Sequence, residues 1–477
     1  MIQKITYTFL ALVFALSTMN AQETWGLEKC VSYAQENNLS IQQADYTVQA
    51  AALTEKESKN ARLPNINGFM GGDVNFGRTI NPVTNEFDNQ RFTSSSLGIS
   101  AGMTLYNGNR IKNTITQSQY DLAASEADQA QMKTNIALQV AAAYLQVLFS
   151  EEQLANAKNR LQQTQNQLEQ TDKLIQAGTL PRADRLEIMA NIARDEQSIV
   201  IQDNNVTLNY LTLKQLLQLE PDYELTVEKP TVIVPRVEPE SFVLKDIYNK
   251  AYNNQPIIRA GEMRLKSSEL GVDIAKSLGL PSLGISANVN SFWSDRTLDP
   301  NKPKDIRVIM SDESVEIDGV PSTITRSFLT SGFENRSYFG QISDNFGQGI
   351  GLNLNVPIYN GERTSIAKQR AEIGILNQRI INNQNEQVLK ADIQRAIADA
   401  KAAKKQFEAA DKTVNALKEA YTNTEKRYQL GAINTFEYTT SKNTLDQADV
   451  DLIIAKYNYL YTVKVVDFYE GNKLTLK

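Results

Sequence analysis

The 477-residue sequence contains no histidine and one cysteine, Cys30. The first absence removes the imidazole that Ser-His-Asp and Cys-His systems use as base and that many zinc and iron sites use as ligand. The second leaves no internal disulfide and no thiolate cluster. Excess basic charge is missing too. Lys and Arg number 49 against 55 Asp and Glu, a net charge of −6, which argues against the basic stripe that nucleic-acid phosphates require. After the amino-terminal segment no stretch approaches 18 apolar residues, so a chain entering a membrane would do so by strands. What is present, 41% hydrophobic residues, suffices for sizeable cores, and length alone suggests roughly three domains of about 150 residues.

The amino end reads as a secretory signal peptide over residues 1–21. Met1 to Lys4 give a short basic start, Ile5 to Leu16 an apolar run, and Ser17-Thr18-Met19-Asn20-Ala21 a small-residue exit. The apolar run of about 12 residues falls short of the ~20 needed to span a bilayer. Cys30 follows Leu27-Glu28-Lys29, with no small residue before it, and reads as a buried helix residue rather than a lipid attachment point.

An internal repeat organises the rest. Leu27, Ala34, Asn37, Ile41 and Leu63-Pro64 recur 217 residues later as Leu244, Ala251, Asn254, Ile258 and Leu280-Pro281. Tyr106-Asn107-Gly108 and Gly178 recur as Tyr359-Asn360-Gly361 and Gly431, now 253 residues later. One insertion of 36 residues between Pro281 and Ile358 accounts for the jump. The chain thus divides into a first repeat (22–220), a Pro-rich extended linker around Thr231-Val232-Ile233-Val234 (221–243), a second repeat (244–471) and a short tail (472–477).

Each repeat carries the order helix, strand, loop, strand, long helix, turn, helix. Residues 112–175 lack Pro and Gly, enough for a helix of about 95 Å. Leu154, Leu161, Leu168 and Ile175 are spaced by sevens, as are Phe407, Val414, Tyr421 and Tyr428. Ile192, Ile199, Val206 and Leu213 answer them on the returning helix, with Leu445, Leu452, Tyr459 and Val466 in the second repeat. Strict sevens imply antiparallel coiled-coil hairpins, turning at Gly178 and Gly431, with Pro181 in the first turn of the returning helix.

Four segments alternate apolar with small polar residues: Ile66 to Phe76 loosely, Ser96 to Leu105, Ser282 to Asn290, and Gly349 to Ile358. Their length of about 9–11 residues suits a barrel strand between lipid and water, although the pattern alone also fits a sheet half-buried on a soluble core. Four strands cannot close on themselves, and lipid tolerates no open edge, so a barrel would need several protomers.

The ordered set of signal peptide, duplicated Leu-Ala-Asn starts, Leu-Pro before the first strands, Tyr-Asn-Gly junctions and Ala455-Lys456-Tyr457-Asn458-Tyr459-Leu460 on the last helix resembles the TolC-type outer-membrane efflux proteins. The resemblance runs from Leu27 to Gly471. It implies a mixed α/β membrane protein: a transmembrane β-barrel with four strands per protomer, 12 in a homotrimer, continued by a long antiparallel coiled-coil α-barrel across the periplasm. It also implies a passive exit duct of a tripartite efflux or type I secretion system, working with a periplasmic adaptor and an inner-membrane transporter. The chain would sit in outer-membrane lipid, bind no nucleic acid, metal or cofactor, and catalyse nothing. A secreted or periplasmic structural coiled coil with a soluble sheet is the alternative.

The resemblance assigns an entrance gate at the hairpin turns. Glu437 and Asp184, with Glu187, match its acidic ring, and Tyr428 its gate tyrosine, with Glu169 as expected acceptor. Gly178, Leu180, Gly431 and Ile433 at the turns are the implied adaptor-docking positions. The chain departs from the family pattern at Ile433, where a basic gate residue is expected, and at Thr440, where a second acid could sit. Other motifs read as structure. Gly98-Ile99-Ser100-Ala101-Gly102 has the form of a nucleophile elbow, but it lies on an alternating strand in a chain without histidine. Gly347-Gln348-Gly349-Ile350-Gly351 leads into no helix start, as a phosphate loop would. Asp312, Glu313, Glu316 and Asp318 fit no EF-hand spacing and read as a solvated external loop.

Overall fold

The computed structural model describes residues 24–80, 87–88, 91–229 and 238–472. The signal peptide, Thr231–Val234 and all of the tail beyond Asn472 lie outside them. In chain order the elements are β1 (Thr24–Trp25), α1 (Leu27–Asn37), α2 (Leu39–Asn60), β2 (Asn65–Asn75), β3 (Thr79–Ile80), β4 (Phe87–Asp88) and β5 (Phe92–Asn107). Then come α3 (Arg110–Gln176), α4 (Ala183–Leu217), β6 (Thr226–Val227), α5 (Leu244–Asn254), α6 (Pro256–Ser277), β7 (Ser282–Ser294), β8 (Leu298–Ile317), β9 (Val320–Asn335), α7 (Tyr338–Asp344), β10 (Gly347–Asn355), α8 (Arg363–Gln429) and α9 (Thr435–Tyr469). Helices recur at equal length: α1 and α5 have 11 residues, α2 and α6 22, α3 and α8 67, α4 and α9 35.

Two compact units cut across this linear order. Among the described residues, one holds those within 24–53, 118–268 and 373–472, the other those within 54–117 and 269–372. In the helical unit the expected opening helix is broken in two at Asn38, whose backbone turns extended. Its amide donates to the Leu216 carbonyl at the end of α4 and its Oδ1 accepts from the Ser40 N–H, joining α1 and α2 to the helix they extend. Apolar packing is densest here. Trp25, Cys30, Val140, Tyr144, Leu213, Leu217 and Val227 form one buried cluster, and Ile247, Ala251, Ile393, Ala400 and Val466 a second. Cys30 is fully buried, and burial pushes its thiol up to about 12. The expected linker is not free at its described ends. β6 pairs with β1 in parallel, the Tyr144 hydroxyl donates to the Glu228 carbonyl, and Pro239 is buried in a single 3₁₀ turn.

The other unit contains a four-stranded antiparallel sheet in the order β10-β7-β5-β2, so sheet order follows chain order and β2 and β10 are its edges. Cross-strand pairing collects the apolar residues on one face. Ile66 pairs with Ala101, Met70 with Leu97, Ile99 with Val289, Ala287 with Ile350, Ile285 with Leu352 and Leu283 with Leu354. The opposite face carries Asn67, Ser96, Ser100, Ser286, Asn288, Gly351 and Asn353. On it Phe69 packs against Gly98, where a Cβ would meet the ring at 2.7 Å. The apolar face is open: Ile350 is 83% exposed, Met70 77% and Leu352 70%. A soluble sheet would cover that face; an apolar band facing lipid has no need to.

Three expectations for the strands change. A bulge at Leu105 brings Tyr106, not Leu105, opposite Leu283. The last strand ends at Asn355, before Pro357, which has no N–H for a ladder. The insertion with Asp312, Glu313, Glu316 and Asp318 is an ordered hairpin of β8 and β9, turning at Asp318-Gly319, both with positive φ. Both strand-to-helix junctions wind through consecutive left-handed residues, Gly108-Asn109 and Gly361-Glu362.

Candidate functional site at the hairpin turns

The site lies in the helical unit, where α3 turns into α4 and α8 into α9. Both turns end their long helix with the same backbone device. Gly178 and Gly431 adopt φ of +78° and +69°. The next N–H, of Thr179 or Ala432, bonds back to the carbonyl of Leu174 or Arg427. Neither glycine has a neighbour within 4 Å of a notional Cβ, so the turn tips are open and the glycines serve conformation alone. Pro181 lies two residues ahead of α4 rather than in its first turn, its carbonyl accepting from the Asp184 N–H.

Behind the second turn Tyr428, Ile433 and Tyr438 are buried together, with Leu180 and Tyr421 packed against them. The Tyr428 and Tyr438 rings stack at 4.6 Å, and the Tyr421 and Tyr438 hydroxyls share a 2.6 Å hydrogen bond. The Tyr428 hydroxyl bonds Thr171 at 3.0 Å and Thr435 at 3.2 Å. It thereby ties α8 to α9 and both to α3. Burial raises the Tyr438 and Tyr421 phenols above their ordinary value, which keeps these hydroxyls neutral donors and acceptors.

These contacts correct two site expectations. Glu169 is not the acceptor of Tyr428; it is exposed and paired with Lys173 at 2.9 Å, which lowers its carboxyl pKa. Two residues correspond to about 200° on a helix, so Thr171, not Glu169, faces the second hairpin. Ile433 is 7% exposed and holds the turn from inside, so it offers no docking surface; Leu430, 83% exposed, stands at the tip. Leu180 is half-buried against the same cluster.

Asp184 and Glu437 lie in the first turns of their helices, where the dipole favours them, and Glu187 follows Asp184 on α4. Asp184 and Glu187 are half-exposed on α4. Glu437 is exposed on α9, and its N–H is capped by the Asn434 side chain. Its cation is Arg427 on α8, 3.4 Å away, at the turn expected to carry a basic residue at position 433. Both partners are more than half exposed, so the pair contributes little to stability.

Farther from the turn lies a buried polar chain that sequence reading missed. Lys442, with a 6% exposed side chain, donates to Asp446 at 3.0 Å and to the Thr164 hydroxyl at 3.2 Å. Thr164 donates to Asp195 at 2.6 Å, and Asp195 accepts from Arg160 at 3.1 Å. Charges of alternating sign thus join α9, α3 and α4.

The open sheet with its uncovered apolar face and the coiled-coil hairpins define a class, the outer-membrane channel subunits that combine a β-sheet unit with long α-helical hairpins. Similar solved structures belong to it. CusC has a TM-score of 0.73 at 16% identity, over 95% of this chain and 93% of its own. VceC of Vibrio cholerae has 0.72 at 14%, over 94% and 96%. CmeC of Campylobacter jejuni has 0.69 at 16%, over 94% and 86%. At these identities the likeness is one of fold. No curated protein matches the sequence significantly. The outer membrane efflux protein family model matches residues 30–218 and 247–466, and the chain belongs to that family.

Proposed function

We propose that three copies of this chain form a passive exit duct: a 12-stranded barrel in the outer membrane continued by an α-helical tunnel across the periplasm. Each chain contributes two copies of one repeat, and neither copy closes its own sheet. The observation that carries this reading is the sheet with two free edges, β2 and β10, and an exposed apolar face. The helical unit offers matching flanks. Leu39, Tyr46 and Leu53 recur at sevens on α2 and are exposed, as are Ile373 and Ile380 on α8. In a ring, β2 of one copy would pair with β10 of the next and the α2 stripe would meet the α8 stripe.

Energy would come from an inner-membrane transporter through a periplasmic adaptor, which would dock at the open tips around Gly178, Leu430 and Gly431. Glu437, Asp184 and Glu187 would form the acidic entrance, and Tyr428 would hold the second hairpin against the first. A ring of like charge in a narrow pore concentrates cations. The test is purification in detergent followed by planar-bilayer recording. A trimer with discrete conductance is expected; a monomer without pores overturns the reading. Glu437→Ala should weaken divalent-cation block of those pores at least several-fold, and unchanged block would remove Glu437 from the entrance.

A further inference from the structure

The end of the four-stranded sheet away from the strand-to-helix junctions carries a helix, α7, that the first repeat lacks among its described residues. β10 begins at Gly347 and meets β7 no farther out than Asn290. β7 runs on to Ser294, paired there with β5 alone. Its other edge is closed by α7. The Gln341 side chain accepts from the Ser294 N–H and donates to the Ser294 carbonyl, both at 2.9 Å, so an amide side chain takes the place of a strand partner. Asn345 donates to the Phe292 carbonyl at 2.8 Å, and the Ser291 hydroxyl donates to the Ile342 carbonyl at 2.7 Å. Gln341, Ser291 and Ser294 are all buried. The helix is thus fastened to the strand itself.

What it presents is a set of aromatic rings on one side of the sheet. Ser95 and Trp293 pair with each other and continue the phase of Leu97, Ile99 and Val289 on the apolar face. The Tyr338 ring packs on Trp293 at 5.6 Å, its hydroxyl 3.4 Å from that of Ser95. Phe339 meets Tyr338 edge-on at 5.6 Å and is 83% exposed. Three rings therefore step from the apolar face to the surface of the helix. Arg336, just before α7, is matched by Asp299 at 3.0 Å and Asp344 at 2.8 Å, so it adds no unpaired cation beside them. The strand sets their level. At the opposite end of the apolar face Tyr106 stands across from Leu283. Leu283 and Trp293 are ten residues apart, about 34 Å of strand. At a tilt of about 40° that is about 26 Å along a barrel axis, close to the height of a lipid band, and aromatic residues stand at both of its borders.

We propose that α7 is an interfacial foot whose occupant is outer-leaflet lipid, at the boundary between headgroups and chains. Phe339 contacts the upper part of the chains, while Trp293 and Tyr338, apolar rings with one polar tip each, mark the headgroup level. Water is the poorer neighbour for Phe339, since a phenyl ring so exposed forfeits transfer free energy that lipid returns. Because α7 is hydrogen-bonded to β7 rather than tethered by a loop, it fixes the depth at which the sheet sits. The Arg336 N–H bonds the Thr297 carbonyl at 2.8 Å, which ties the base of the β8–β9 hairpin to the same foot.

The proposal rests on the channel reading, and its test separates the two. Cys30 is fully buried and takes no label, so single cysteines can be read in the full chain. A nitroxide is attached at Phe339→Cys, and in separate samples at Ile350→Cys on the apolar face and at Asp312→Cys on the β8–β9 hairpin, which supplies the aqueous reference. Each protein is reconstituted into vesicles of phosphatidylcholine and phosphatidylglycerol. Collision with oxygen, which concentrates in lipid, is compared with collision with a water-soluble nickel chelate. Relative to the Asp312 label, the oxygen-to-nickel ratio is expected to rise at least twofold at Phe339 and further at Ile350. A ratio at Phe339 equal to the aqueous reference puts α7 in water and overturns the foot. Weak collision with both reagents there means that a second copy covers the helix, which overturns it as well. A label at Ile350 without oxygen excess takes the sheet out of lipid and overturns the channel reading instead.

Discussion

The two hairpins share lengths, heptad spacing and turn backbone, yet they differ at the positions that face each other. Offset by 253 residues, Leu168, Ile175, Arg185, Met189 and Ala193 of the first hairpin become Tyr421, Tyr428, Tyr438, Lys442 and Asp446 of the second. Aliphatic, exposed or small residues are replaced by phenols and a buried ion pair. The backbone frame is preserved because the α3–α4 and α8–α9 seams still demand apolar sevens. Tyr421, Tyr428 and Tyr438 stand on the sevens themselves and Lys442 and Asp446 lie off them, and through Tyr428 and Lys442 the second hairpin hydrogen-bonds to the first. A pair of like scaffolds thus becomes a fixed partner and a fastened one.

The largest expected break in this comparison is Tyr428→Ala. It removes a ring 2% exposed, its stack on Tyr438 and bonds to both Thr171 and Thr435, and should cost about 3–5 kcal/mol locally. Ile175→Ala at the half-buried mate should cost less than half as much. Hydrogen exchange at the two turns measures both; equal protection losses would erase the distinction. Next comes Lys442→Met, which gives the second hairpin the residue type of the first and leaves Asp446 buried without its cation. A loss of about 3 kcal/mol is expected, largely recovered when Asp446→Asn is added, in a double-mutant cycle of thermal melting. Smaller again is Asn434→Ala. Asn434 has extended backbone and caps Glu437, whereas Arg182, at the N-cap of α4, is helical and caps nothing. Loss of the cap should cost about 1 kcal/mol, read as faster exchange in the first turn of α9.

Hydrophobic periodicity carries most of what was legible. The Pro- and Gly-free run at 112–175 marks α3 to within two residues at its start and one at its end. Strand alternation marks the face that the sheet leaves open, because residues that meet lipid and water in turn must alternate. What escaped is what periodicity cannot report. The sevens at Leu154, Leu161, Leu168 and Ile175 locate the α3–α4 seam, but near the turns the contact between α3 and α9 is polar and leaves no apolar stripe. Without it the phase of α3 toward the second hairpin is not legible, and the acid that the resemblance implies, Glu169, stands two residues from the neutral Thr171 that faces the tyrosine. The insertion hairpin was hidden similarly, since its cluster of acids drew the reading toward a loop while Val308, Ile309, Met310 and Ile324 supplied strand character.

The smallest expected effect concerns pH and again separates Asp446 from its mate Ala193. Burial raises the Asp446 carboxyl above its ordinary value; Lys442 and Arg160 oppose the rise and Asp195 adds to it. The folded chain therefore keeps a proton on Asp446 over a pH window, just above the usual aspartate range, in which the unfolded chain has lost it. Binding more protons when folded means that stability from this group is complete below the unfolded pKa and is lost as pH rises through the folded one. Asp446→Asn has no proton to gain. As pH falls from neutral toward the ordinary aspartate value, the wild type should gain melting temperature relative to Asp446→Asn. A wild-type advantage that shrinks on acidification would mean that Lys442 holds Asp446 charged more firmly than burial opposes it, and the buried chain would then act as a fixed ion pair throughout this range.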